Sequence, residues 1–446
     1  MKHLESSSLE ALAAALRHLD AGFAALPEFA PCAPGLDRME SVLRETAERL
    51  RDNYPYFHPL YAGQMIKPPH PVARAAYALA MWINPNNHAL DGGRASSAME
   101  KEAVAGIAAL FGWKEFLGHL TGGGTMANLE ALWVAGQLKA GQTILASSAA
   151  HYTHDRISGV LKLPFESIPT DNRGRMDCAA LERRAAQGGV GCVVATLGTT
   201  GTGAVDPLPE ILRLRDRFGF RVHADAAYGG YFTLAENLGP EARAAFDTAG
   251  EADSIVIDPH KHGLQPYGCG CVLFRDPAVG ALYSHDSPYT YFSSDELHLG
   301  EISLECSRAG ASAVALWATE RLLPLVRGGE FAAGLTTARA AALDFADRLR
   351  EDPRWMLPLA PELDIVVWAP RAETAAEAST RSRRIFEKAA AEQLHLALIN
   401  LPVTLFPPIT YSDNLKHVLC LRSVLMKPEH AAWIPEILNR LRSACV

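Results

Sequence analysis

Lys261 lies in the run SIVIDPHKHG, where an apolar stretch gives way to Pro259 and His260. That is where a strand ends at the working edge of an open α/β sheet. Asp225 closes a second short apolar run, in HADAAYGG, 36 positions earlier. Alone, a strand-end lysine is usually solvated and a strand-end carboxylate usually caps a helix. Together, at one sheet edge, they have the chemistry to hold a flat cationic ring between them. A third element is LTGGGTMANLEALWVAG. Gly122, Gly123 and Gly124 leave backbone N–H groups free to converge, Thr125 adds a hydroxyl, and a helix starts at once. Such a turn is either a bare glycine bend or a cup for phosphate, with donors and a helix dipole aimed at one anion. In SSAAHYTHD, His151 follows another apolar run. It reads as a capping histidine, or as an H-x-x-H pair with His154 that has no evident third ligand, so no metal is expected.

The elements that must position these residues follow from the same text. Apolar runs at 143–147, 190–198, 221–225, 254–258 and 269–274 are separated by helical patterns, among them 125–140 and 208–218. Short β-rich runs alternating with helices predict an α/β fold, a mostly parallel sheet covered on both faces. Upstream, helices are expected at 9–19, 37–52 and 97–110, with irregular structure between Tyr54 and Asn87, where Pro, His and aromatic residues crowd. Beyond about Gly310 the chain turns helix-rich and Ala-heavy, with strand-like pieces at 365–369 and 418–425. The division expected is an N-terminal arm and pocket segment (1–88), a large domain (89–325) and a small C-terminal α+β domain (326–446).

Composition narrows the function. Of 446 residues, 48% are hydrophobic and 21% charged, enough for a sizeable core. Lys+Arg 42 against Asp+Glu 50 gives a net charge of −8, which argues against a nucleic-acid partner held by charge. The eight cysteines are scattered apart from Cys269 and Cys271, and a lone C-x-C without a second pair reads as reduced, buried thiols. The first twenty residues carry Glu5, Glu10 and Asp20 and do not form a secretory signal. Arg74 interrupts the most apolar stretch, HPVARAAYALAMWI, so no membrane span and a cytoplasmic location are expected.

The ordered set G-G-G-T, His151, G-T-T (198–200), D-A-A-Y-G-G (225–230) and D-P-H-K (258–261) resembles the pyridoxal-phosphate-dependent group II amino-acid decarboxylases. The likeness runs from His58-Pro59 to L-R-S-V-L-M-K-P at 421–428, most of the chain. It implies a fold-type I enzyme: a large domain with a mostly parallel seven-stranded sheet, a small C-terminal domain, and a homodimer with active sites at the interface. It implies pyridoxal 5'-phosphate held on Lys261 as an imine, with Asp225 against the pyridine nitrogen. His151 would stack on one face of the ring, Ala227 would lie against the other, and His260 would stand beside the lysine. Gly123, Gly124, Thr125 and Ser254 fall where the family binds phosphate, and Thr199 or Thr200 where a hydroxyl approaches the cofactor. Arg422 matches an arginine that meets the substrate α-carboxylate in some members. Tyr61 and Gln64 are pocket candidates in YFHPLYAGQM, which matches the family's H-P segment loosely.

In many such decarboxylases a loop tyrosine from the neighbouring subunit protonates the α-carbon. Here SHDSPYTYFSSDELH supplies Tyr291, the preferred candidate, and Tyr289. Two departures stand out. His262 follows the lysine where many members have tryptophan, and SLECSRAGASAVALW, with Ser307 and Arg308, is similar both to the microbial tyrosine/aspartate branch and to sphingosine-phosphate lyase. The expectation is α-decarboxylation of an L-amino acid, aromatic or otherwise uncharged, to the amine and CO₂. The alternatives are a carbon–carbon lyase of the sphingosine-phosphate type, decarboxylation-coupled oxidative deamination to an aldehyde, and a catalytically silent binding protein.

Overall fold

Seven strands make the large sheet: Leu117–Thr121 (β1), Thr143–Ser147 (β2), Phe165–Ile168 (β3), Val190–Thr196 (β4), Arg221–Asp225 (β5), Ser254–Ile257 (β6) and Gly270–Phe274 (β7). The computed structural model describes residues 7–30, 32, 35–283, 297–406 and 414–445. The spatial order is β1-β7-β6-β5-β4-β2-β3, and β7 alone runs against its neighbours. β2, β4, β6 and β7 are buried at every position. This is why their sequences read as unbroken apolar runs, as strands covered on both faces do. Side chains still alternate. Cys192 and Val194 of β4 pack with Leu132, Ala135 and Ile157 on one face, while Val193 and Ala195 join Leu208, Ile211 and Leu214 on the other.

Register places the site. Thr196 lies opposite Asp225, and Asp225 opposite Val256. The parallel strands β4, β5 and β6 therefore end together and deliver 196–200, 225–228 and 258–261 to one edge. β1 points to the same edge and passes through the glycines into the helix Gly124–Leu138. Gly123 has φ of 147°, and a Cβ on Gly270 of β7 would stand 2.5 Å from the Gly123 carbonyl carbon. The close approach thus needs glycine at both positions.

The small sheet contains Trp355–Met356 (β8), Ile365–Pro370 (β9), Ala397–Pro402 (β10) and His417–Val424 (β11), antiparallel in the order β10-β11-β9-β8. Its core includes Phe345 and Trp368, whose rings meet edge to face with centroids 5.2 Å apart. Leu60 and Ala62 of the N-terminal segment pack into this same core. The Ala62 N–H donates to the His395 carbonyl at 2.9 Å, and the Ala62 carbonyl accepts from Val424 N–H at 2.8 Å. Among the described residues no helix is long and apolar enough to cross a membrane.

The expected helices and the five strand runs of the large sheet are present, with three differences. β1 and β3 were not anticipated: β1 interrupts its apolar run with Gly118 and a buried His119, and β3 is exposed at Glu166 and Ser167. The span expected to be irregular contains a helix, Pro71–Met81. Pro71 takes its first turn, and His70 Nδ1 accepts from Val72 N–H at 3.2 Å, so proline and histidine here act as start signals. The helix expected from 97 begins at Leu90 and is kinked at Gly93.

Gly270→Ala should force β7 away from the glycine turn and cost about 1–3 kcal/mol, the usual penalty of overpacking. A urea-unfolding midpoint equal to that of the unaltered protein would contradict this close approach.

Candidate active site

The strand ends and the glycine turn enclose a cavity of about 500 Å³. Asp225 stands at its floor as the last residue of β5 and is almost fully buried. His154, in the helix Thr153–Leu161, donates from Nε2 to Asp225 Oδ2 at 2.8 Å, and Oδ1 accepts from Ala227 N–H at 3.1 Å. Burial opposes ionisation of this carboxyl. The His154 hydrogen bond, with the nearby His154 ring and the Lys261 amine, outweighs burial and holds the group well below the usual carboxylate range. A fixed negative charge therefore faces the cavity.

Behind it lies a second layer. His223, two residues earlier on the same face of β5, donates from Nε2 to Asn128 Oδ1 and accepts at Nδ1 from Ser254 Oγ, both at 2.8 Å. Burial pushes the His223 pKa down to about 3, so the ring is neutral. Ser254 starts β6, at the end of the strand remote from Lys261, and does not line the cavity. Its hydroxyl pins His223, where the resemblance implied a phosphate contact.

On the opposite wall, Lys261 Nζ lies 3.1 Å from Asp258 Oδ2, with a fifth of its side chain exposed. Asp258 is buried and its Oδ1 has no partner. A Cβ on Gly124 would come within 2.5 Å of Asp258 Oδ2, so glycine lets this carboxylate approach the N-terminus of the helix Gly124–Leu138. His260 lines the cavity too. Its Nδ1–H donates to the Cys269 carbonyl at 2.8 Å, and its ring stacks on Tyr267, with centroids 4.7 Å apart. Tyr267 is in turn fixed by its hydroxyl, which donates to the Met65 carbonyl at 3.0 Å.

The other sequence-derived residues divide. His151, Gly123, Gly124, Thr125, Thr200 and Ala227 all line the cavity. His151 is half-buried, stacked on Tyr152 at 4.4 Å, and burial lowers its pKa. Thr199 does not line it. Its hydroxyl is turned inward to Thr202 Oγ1 and accepts from Ala204 N–H. Arg422 is also outside the lining. Its guanidinium donates to the carbonyls of Thr200, Gly201 and Gly63 and, at 3.4 Å, to Gln64 Oε1. Buried Tyr61 accepts from Lys427 Nζ through its carbonyl at 2.6 Å, and Gln64 is exposed, so neither lines the cavity. Arg308 is tied to Glu100 and the Leu120 carbonyl, and Ser307 to Asn86. Tyr289 and Tyr291 lie outside the described residues. No group of three His, Cys, Asp or Glu among the described residues is placed to hold a metal.

Among the cavity residues that escaped the sequence reading are Asp258, Tyr228 and Glu305, whose Oε2 accepts from Gly122 N–H at 2.9 Å. The role of His154 escaped it too, although its spacing from His151 was a usable signal. An amine, an ionised buried carboxylate, a glycine turn at a helix start and a small residue at 227 together suit a flat, cationic, phosphate-bearing aldehyde.

The model of the pyridoxal-dependent decarboxylase conserved domain matches residues 131–369. The chain is 30% identical over 416 residues to an L-tyrosine decarboxylase of Enterococcus faecium, covering 71% of this chain and 67% of that protein. It is 29% identical over 282 residues to an L-aspartate decarboxylase of Thermococcus kodakarensis, covering 63% and 72%. The chain spans about two thirds of the length of the tyrosine decarboxylases it matches. In fold it is similar to the tryptophan decarboxylase of Catharanthus roseus, with a TM-score of 0.77, 16% identity, and 100% and 99% of the two chains covered.

His154→Ala should cost about 1.5–3 kcal/mol at neutral pH, as loss of a hydrogen bond to a buried charge does. The stability due to ionised Asp225 is complete above its unfolded pKa of about 3.9 and is lost as pH falls toward its depressed folded value. Removing His154 raises that folded value, so urea titrations should show the variant losing less stability between pH 7 and pH 3 than the unaltered protein. Parallel pH curves would refute the role given to this pair.

Proposed function

The chain belongs to the pyridoxal-dependent decarboxylase family, and from that premise we propose that its cavity removes the α-carboxyl group of an L-amino acid with an aromatic or other uncharged side chain, giving the amine and CO₂. The observation that carries this is the pairing, across one cavity, of the Lys261 amine with a carboxylate at Asp225 kept ionised by His154. Pyridoxal phosphate, when bound, supplies the electron sink for the pair left on the α-carbon as CO₂ departs. Lys261 would hold it, Asp225 would face its ring nitrogen, and Gly123, Gly124 and Thr125 would receive its phosphate. His151 and Ala227 would bracket the ring.

The remaining work falls to the chain's own groups. Asp225 keeps a proton on its ring partner because its own carboxyl does not take one up at neutral pH. His151, its pKa lowered by burial, approaches as a neutral ring. His260 is held against Tyr267 and keeps the lysine turn in place. The proton delivered to the α-carbon comes in this reading from Tyr291, with Tyr289 as the alternative.

Charge supports the substrate class. Asp225, Asp258 and Glu305 all line the cavity, and Lys261 is its one lysine or arginine among the described residues. A side-chain carboxylate would meet three acids and no spare cation. Arg422 supports the cavity indirectly, by fixing the Thr200 and Gly201 carbonyls.

The reading includes a homodimer acting in the cytoplasm. All eight cysteines are free. The helix Leu36–Leu50 buries none of its residues and exposes Leu36, Met39, Val42, Leu43 and Leu50. A second copy is the occupant proposed for that face. Leu43→Glu with Leu36→Glu should halve the mass seen by light scattering, and a monomeric unaltered protein would overturn this part.

The central test offers the protein, loaded with pyridoxal phosphate, a panel of L-amino acids and follows CO₂ and product mass. Amine and CO₂ from L-tyrosine or another uncharged member, abolished by Lys261→Ala, is expected. Preference for L-aspartate overturns the substrate class. Aldehyde with CO₂ replaces the reading with oxidative deamination, and carbon–carbon cleavage without CO₂ replaces it with a lyase. Replacing Tyr289 and Tyr291 with Phe, singly and together, should lower amine formation about 10²–10⁴-fold at the proton donor. Unchanged rates in all three variants would dismiss both tyrosines.

A further inference from the structure

His262, the residue that departs from the family pattern, belongs to a buried cluster outside the cofactor contacts. Asp364 immediately precedes β9 of the small sheet and is fully buried. Its Oδ1 accepts from the Tyr228 hydroxyl at 2.5 Å, and its Oδ2 lies 3.2 Å from His262 Nε2 without the geometry of a hydrogen bond. The Tyr228 and His262 rings meet edge to face with centroids 4.8 Å apart. Phe232 closes on His262 at 4.9 Å. Tyr228 lines the cavity three residues after Asp225, and His262 directly follows Lys261.

One carboxylate of the small sheet thus reaches both turns that carry the opposite poles of the cavity. Resting on the decarboxylase reading of that cavity, we propose that Asp364 is a positioning residue. Through Tyr228 and His262 it fixes the separation of Asp225 from Lys261 and locks the small sheet onto the working edge of the large one.

The electrostatics are consistent with a fixed anion. Burial opposes ionisation of Asp364, but His262, the Tyr228 hydroxyl and Lys67 outweigh it and hold the carboxyl below its usual range. Burial and this carboxylate drive the Tyr228 phenol well above its ordinary pKa, so the hydroxyl stays a donor. The charged and titratable groups around the cluster are Lys67 of the N-terminal segment, pushed down to about 8 by burial, with Lys261 and Arg422. The cluster therefore gathers N-terminal segment, large sheet and small sheet around one negative charge.

Asp364→Asn keeps the shape and removes the charge. Three readouts separate positioning from mere stability: the pH at which the visible absorbance of the Lys261-bound cofactor titrates, the kcat against KM split, and the urea midpoint. Losing a nearby anion disfavours the protonated linkage, so the absorbance should titrate about half a pH unit lower or more. The kcat should fall about tenfold or more, with KM within about threefold. Tyr228→Phe raises the Asp364 pKa by removing its donor and should shift both readouts in the same direction. The double variant should be no worse than Asp364→Asn alone, because the two act as one unit. If Asp364→Asn does not fold, Tyr228→Phe, which removes a single hydroxyl, carries the test. Variants that lose stability yet keep the absorbance titration and kcat of the unaltered protein overturn the proposal. If the unaltered protein forms no lysine-bound chromophore, the decarboxylase reading itself fails, which is a different outcome.

Discussion

Keeping a carboxylate ionised inside a closed sheet edge is the constraint from which much of this architecture follows. Moving an isolated charge out of water costs several kcal/mol even after relaxation. Asp225 bears that cost only because His154 and the Ala227 N–H occupy both of its oxygens. His154 must in turn be held, and the neutral His223, clamped between Asn128 and Ser254, supplies a polar backing that does not compete for the charge. Four elements are committed to one charge: a helix after β2, the helix after the glycine turn, β5 and β6. A slip of one residue in β5 would turn Asp225 and His223 to the other face together.

The same edge solves a second electrostatic problem. Lys261 and Asp258 form a close pair beside the start of a helix, while Asp225 stands across the cavity. Both carboxylates and the amine line the one cavity. The backbone around it is braced, by Gly270 pressed on Gly123 and by Arg422 holding the Thr200 and Gly201 carbonyls. This is the sense in which parallel strands, ending level, make a site that loops alone would not.

Much of this was legible in the chain. Lys261, Asp225, His151 and the glycine turn stand out because strand ends in an α/β pattern converge on one edge whatever the loops do. The family likeness sharpened which of them mattered. What stayed hidden shares a physical cause: it depends on contacts between residues far apart in sequence. β1 was invisible because its buried His119 is satisfied by Glu130, 3.0 Å away, which no local pattern announces. Thr199 and Thr200 differ only in which way the backbone turns. Ser254 was placed at the phosphate by the family likeness, but a strand's length puts it at the far edge. Arg422 sits at the expected place in sequence, and its donors are taken by carbonyls that only the folded loops bring near. Asp364 meets Tyr228 across 136 residues and had no sequence signal at all.

The seam at Ala62 has a consequence for how the chain matures as it leaves the ribosome. Ala62 is hydrogen-bonded to His395 and to Val424, so an early segment completes a sheet whose last strand is made some 360 residues later. At about 5–20 residues per second that interval is on the order of 20–70 s. The whole large sheet is made within it, ending with β7 at Phe274, while Leu60 and Ala62 wait without their final neighbours. The working edge is therefore closed last, by the return of the chain upon its own beginning, and a nascent chain stalled before β11 would carry every cofactor contact of the large sheet and still have an unsealed site.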